Sequence, residues 1–146
     1  MRAFIIALTA ALLAAQPAAA ETDKRAIMQR AADEFLIPAY AAFADAANVQ
    51  FASWQLFCAA PDGDGLERVR AAYLAAAGAW SNVEFVSYGA ASKEFRAERI
   101  NYWPERNNAT QKALAQLLSG NGGAGLDADS IRAGSAAGQG LPAIER

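Results

Sequence analysis

Two apolar stripes at helical spacing, divided by one strong turn, restrict this chain to a helical hairpin and what can pack on it. The first stripe is Tyr40, Phe43, Ala47, Phe51, Trp54 and Cys58. The second is Leu66, Val69, Tyr73, Ala77, Trp80 and Val83. Intervals of three and four place such residues on one face of a 3.6-residue helix. Between them, Ala60-Pro61-Asp62-Gly63-Asp64-Gly65 has the composition of a helix stop and turn. Two antiparallel helices joined this way are the building unit of bundles.

The remaining segments extend that pattern. Ile27, Ala31 and Phe35 repeat at helical spacing, with Arg30, Asp33 and Glu34 on other faces. Pro38 is expected to kink or restart this helix, because it has no N–H and disfavours a helical residue before it. The second long helix is predicted over 66–88, with Gly89 as its stop. An irregular aromatic stretch follows from Ser92 to Asn108, then a helix from Ala109 to Leu118 and a Gly-rich loop over 119–125. A short helix over 127–132 precedes a second Gly-rich passage, 134–140. No segment alternates as a half-buried strand would. The predicted fold class is all-α, a helical bundle. The Asp62/Asp64 pair has two acids of a calcium loop but lacks the ligand ladder and terminal Glu of an EF-hand, so it reads as a solvated turn.

The N-terminus is a leader. Arg2 precedes an apolar run from Ala3 to Ala15, and Ala18-Ala19-Ala20 supplies the small residues that a signal peptidase requires before Glu21. The run is too short to span a bilayer, which needs roughly 20 residues, and no later stretch reaches that length. The expected organisation is a signal peptide over 1–20 and one helical domain over 21–146, delivered to the periplasm without a membrane span after cleavage. The net charge of −2 becomes −3 once Arg2 is removed. With no basic run to neutralise phosphates, nucleic acid is excluded as a partner.

There is no His and one Cys, Cys58. These residues therefore cannot host a Ser-His-Asp or Cys-His mechanism, a His-ligated zinc or a covalent haem motif. A single thiol is unusual in an oxidising compartment. Cys58 is either buried and inert at the end of its stripe or paired with a Cys on another chain or on residues outside this sequence; pairing is the preferred reading. Gly140-Leu141-Pro142-Ala143-Ile144-Glu145 looks like the start of a helix, with Pro near the first position and Glu in the first turn. One turn is expected to bury Leu141 and Ile144 against little, which suggests a chain truncated at Arg146.

Several of these residues together resemble the imelysin family of exported bacterial proteins. They are Trp80-x-x-x-Glu84, Tyr88-Gly89, the block Tyr102-Trp103-Pro104-Glu105-Arg106, and Ala136-x-x-Gln139-Gly140-Leu141-Pro142-Ala143-Ile144-Glu145. The resemblance covers the mature chain but only the N-terminal half of a family member. It implies an all-helical protein of two bundle-like halves, in the periplasm or at the outer surface. Such proteins are often associated with iron uptake and are sometimes classed as metallopeptidases. The family's proposed metal motif is Gly-x-His-x-x-Glu. Here its Gly and Glu are Gly140 and Glu145, and Pro142 stands at the His position, which removes a strong ligand.

The resulting metal candidates are Glu145, weighed against a first-turn carboxylate stabilised by the helix dipole, and Glu84, weighed against pairing with Arg96 or Arg99. Oxygen ligands without His favour iron or another hard cation over zinc or copper. Trp80 and Trp103 read as core packing before pocket lining. The function expected is a non-catalytic periplasmic protein associated with metal, iron above all. Its alternatives are an imelysin-type metallopeptidase and a helical module that binds an envelope protein. Intact mass of protein recovered from the periplasm is expected to show Glu21 as the first residue; retained Met1 would contradict the leader.

Overall fold

A computed structural model describes residues 23–119 and 126–146; the leader with its cleavage site, and most of the Gly-rich loop, lie outside them. The described residues are helices and turns, with no strand among them. In chain order the helices are α1 (Lys24–Ala31), α2 (Ile37–Ala59), α3 (Gly63–Ser81), α4 (Arg96–Ile100), α5 (Ala109–Ser119), α6 (Ala128–Ala133) and α7 (Gly140–Glu145). None of them is long and apolar enough to cross a membrane.

The Asp23 carboxylate opens α1 by accepting from the backbone N–H groups of Arg25 and Ala26 at 3.0 and 3.1 Å. A π-helical turn, Ala32–Leu36, joins α1 to α2 and leaves Pro38 in the first turn of α2. The restart expected at Pro38 thus takes the form of a widened turn rather than a break. The extra residue re-phases the hydrogen bonds just ahead of a position that cannot donate one.

The predicted hairpin is α2 packed on α3. Asp62 caps α3 by accepting from the Gly65 N–H, and the helix begins at Gly63, three residues ahead of the predicted Leu66. The second stripe borders and partly forms the buried face of α3: Val69, Trp80 and, just beyond the helix, Val83 are buried with Ala72 and Ala76, while Leu66, Tyr73 and Ala77 are half-buried. Trp80 packs against Phe43 of α2 with ring centroids 5.2 Å apart.

The helix ends at Ser81, earlier than predicted. Ser81 Oγ and Asn82 Nδ2 both donate to the Gly78 carbonyl, at 2.8 and 3.2 Å, and side chains that compete for backbone acceptors favour an end. The following turns still direct Val83 and Val86 inward.

The first stripe needs correction at its C-terminal half. Phe51 is 65% exposed and Cys58 is exposed, while Gln50 is buried and Phe57 half-buried. The stripe covers 18 residues in five turns, an average of 3.6. The inward residues Phe43, Gln50 and Phe57 instead recur every seven, the 3.5-residue seam of packed helices, so the stripe drifts off the inner face by about 20° per heptad. Exposed Ile37, Val49 and Leu56 show that α2 is apolar on more than one side, which hides the drift. The buried, inert reading of Cys58 is therefore overturned.

The expectation that one turn at 140–145 has little to pack on also fails for Leu141. Its side chain is 8% exposed and joins Ala76, Trp80 and Val83 in the core, whereas Ile144 stays exposed. Gly140 makes this possible. It adopts φ +67°, and a Cβ there would collide with the carbonyl oxygens of Arg99 and Ile100. The chain passes so close to the end of α4 that no side chain fits between them.

Gly140→Ala is expected to lose about 2–4 kcal/mol, from left-handed strain plus a collision with backbone, and to lower the melting temperature by about 10 °C. Gly78→Ala, on α3 with nothing within 4 Å of an added Cβ, is expected to gain roughly 0.5–1 kcal/mol. Thermal melts followed by circular dichroism compare the two. Wild-type melting of Gly140→Ala would refute the close approach.

Candidate functional site

Four segments distant in sequence are tied together beneath α7. Arg99 Nη1 donates to the Arg132 carbonyl at 2.7 Å and to Gln139 Oε1 at 3.2 Å. Gln139 Nε2 in turn donates to the carbonyls of Gly134 and Ser135 at 3.1 and 3.3 Å. Glu105 accepts from the Thr110 N–H at the start of α5 and pairs with Arg146, both at 3.0 Å. These contacts fix both ends of α7.

Glu145 is the last residue of α7, not a first-turn residue, so the dipole-stabilised reading of it does not hold. It lines a cleft of about 330 Å³ with Trp54, Val69, Arg70, Tyr73 and Ile144. Burial, and then the neighbouring Glu145 carboxylate, hold the Tyr73 phenol above its ordinary pKa. Tyr73 sits on the α3 stripe and sequence reasoning assigned it to the core. Nothing in its spacing shows that a carboxylate from a segment 72 residues away lies beside it.

Glu84 lies in the turn after α3 and lines a different cleft, of about 360 Å³, with Trp80, Phe85, Ala97, Glu98, Asn101 and Trp103. It accepts from Asn101 Nδ2 at 3.2 Å. Neither expected arginine pairs with it. Arg96 pairs with Glu94 at 3.1 Å, and Arg99 is committed to Arg132 and Gln139. The short α4, set in a stretch read as irregular, directs its arginines elsewhere. Glu84 and Glu145 are not brought together at one cleft. Among the described residues no group of three or more Asp, Glu, Cys or His could hold a metal ion. Trp80 is core, as read, but Trp103 is 76% exposed at the cleft mouth.

The family model for imelysin (Peptidase M75) matches residues 36–146, a span that includes both clefts. The chain belongs to the imelysin family. No curated protein and no solved structure matches it significantly. In the segment 140–145, Gly140 serves the close backbone approach, Leu141 fills the core, Pro142 offers no ligand and Glu145 reaches Tyr73. The donors gathered there are oxygens, of the type that suits a hard cation, but too few to enclose one.

Of the four tyrosines, Tyr40 and Tyr73 are expected to ionise above the usual value near 10. For Tyr40 the causes are burial and then Tyr88. The fold favours the neutral phenol at both. Their contribution to stability is thus complete below the unfolded value and lost as pH rises through the raised folded one. Titration of phenolate absorbance should resolve a late class, and Glu145→Gln should bring Tyr73 part of the way down. Four tyrosines titrating together at the ordinary value would contradict this.

Proposed function

We propose that this imelysin is an exported, non-catalytic periplasmic protein that binds a hard cation, iron foremost, at the Glu145 cleft. The observation that carries the reading is the donor set: a carboxylate beside a phenol, with Pro142 where the family motif has His. Carboxylate and phenolate oxygens suit ferric iron better than zinc or copper. Glu84 belongs to another cleft, so the reading rests on Glu145 and Tyr73. Water, or a chelate that arrives with the iron, completes the coordination. Because Tyr73 must lose its proton to ligate, binding strengthens as pH rises. A peptidase of zinc type needs several protein ligands, an open position and a base; Pro142 supplies none of these, and Glu145 cannot serve as both ligand and base. Export rests on the leader read in residues 1–20 and on the exported character that the imelysin resemblance implies.

Titration with ferric citrate is expected to produce a visible phenolate-to-iron charge-transfer band, abolished in Tyr73→Phe and at least tenfold weaker in Glu145→Ala. Unfolded insulin should remain uncut with or without metal. Metal-dependent hydrolysis lost in Glu145→Ala would put the peptidase first. Neither binding nor hydrolysis would leave a helical module for an envelope protein.

A further inference from the structure

The second cleft has a composition of its own. Its charged lining consists of two carboxylates, Glu84 and Glu98, with no Lys or Arg. The nearby arginines of α4 are turned to other partners. Glu98 is exposed and enters no ion pair among the described residues. Asn101 Nδ2 donates to one Glu84 oxygen at 3.2 Å, which orients that carboxylate and leaves its other oxygen without a recorded partner. The remaining walls are aromatic: Trp80, Phe85 and Trp103. Trp103 follows a tight turn in which its N–H donates to the Asn101 carbonyl at 2.8 Å, and it remains 76% exposed. Trp80 lines the same cleft at 3% exposure, and its indole N–H is buried without an acceptor.

We propose that this cleft binds a guanidinium group, that of an arginine-like small molecule or of an arginine in a peptide. A planar, weakly hydrated cation stacks on an indole face while its fork of N–H donors meets carboxylate oxygens. An ammonium ion is more strongly hydrated and gains less from aromatic walls. The aromatic walls offer a metal ion no ligand but suit a stacking organic cation. The site is separate from the Glu145 cleft and does not rest on the cation reading made there.

Calorimetry and tryptophan fluorescence with free L-arginine and with a blocked Gly-Arg-Gly peptide test this on the mature protein. Citrulline, which has the same shape without the charge, and lysine serve as comparisons. Arginine or its peptide is expected to bind at least tenfold more tightly than citrulline or lysine, and the tighter of the two identifies the source. Glu98→Gln and Trp103→Ala are exposed substitutions that leave the fold intact by circular dichroism. Each is expected to weaken binding at least tenfold, and salt should weaken it further. No binding of either arginine form, equal binding of citrulline, or binding indifferent to both substitutions would overturn the proposal.

Discussion

The contact on which the rest of this structure depends is the passage of the Gly140 backbone against the carbonyl oxygens of Arg99 and Ile100. It holds α7 against the end of α4 at a separation that no side chain could occupy. That separation lets Leu141 reach Ala76, Trp80 and Val83. The same contact keeps Gln139 within reach of Arg99, and through Arg99 it fixes the C-terminal end of α6. A hairpin of two helices alone would leave the Trp80 end of α3 open. The closure comes from a segment more than fifty residues further along the chain, at an entropic cost that grows only slowly with loop length.

Closing the hairpin leaves some polar atoms without partners. The Tyr40 hydroxyl, Gln50 Nε2 and Trp80 Nε1, all on α2 or α3, are buried and unpaired among the protein's own groups. A buried donor without an acceptor costs about 1–3 kcal/mol, so the inner surface of the hairpin carries a debt that apolar packing offsets. Phe43 on Trp80 supplies part of that packing. Ala46, Ala72 and Ala76 let α2 and α3 lie close but bury little area each. Much of the apolar burial therefore falls to a few large residues, Trp80 first, and Leu141 gains weight beyond its size.

The helices were legible in the sequence wherever the apolar period was clean or a cap was present. The α3 stripe from Val69 to Trp80 borders and partly forms the buried face, and Asp127 caps α6 with a reciprocal Ser130 contact. The period failed on α2, where Ala and other apolar residues surround the helix, so Phe51 and Gln50 exchanged places. It failed again at Ser81, because the end of α3 is decided by side-chain hydrogen bonds to Gly78 rather than by hydrophobicity. The family motif located Gly140 and Glu145, but not what lies across from them. Tyr73 beside Glu145, and Asn101 beside Glu84, are juxtapositions made by tertiary folding. Local spacing carries no record of them, and the pairing expected of Glu84 with Arg96 or Arg99 failed for the same reason.

A proline at position 142 is compatible with every structural role that residues 140–145 serve here. α7 follows α3 in the opposite direction: Leu141 meets Ala76, Trp80 and Val83, and Glu145 stands beside Tyr73. Four residues separate Leu141 from Glu145, close to one helical turn, so both project to one face. Residue 142 lies about 100° around the helix from Leu141 and does not share that face. Its backbone N–H would fall in the first turn of α7, where no intrahelical acceptor exists, so a proline forfeits no hydrogen bond there. Pro142 therefore keeps the register that buries Leu141 and brings Glu145 to Tyr73. The residues that α7 turns toward α3 are thus one apolar anchor and one carboxylate, so the donor that the proposed cation site draws from α7 is an oxygen.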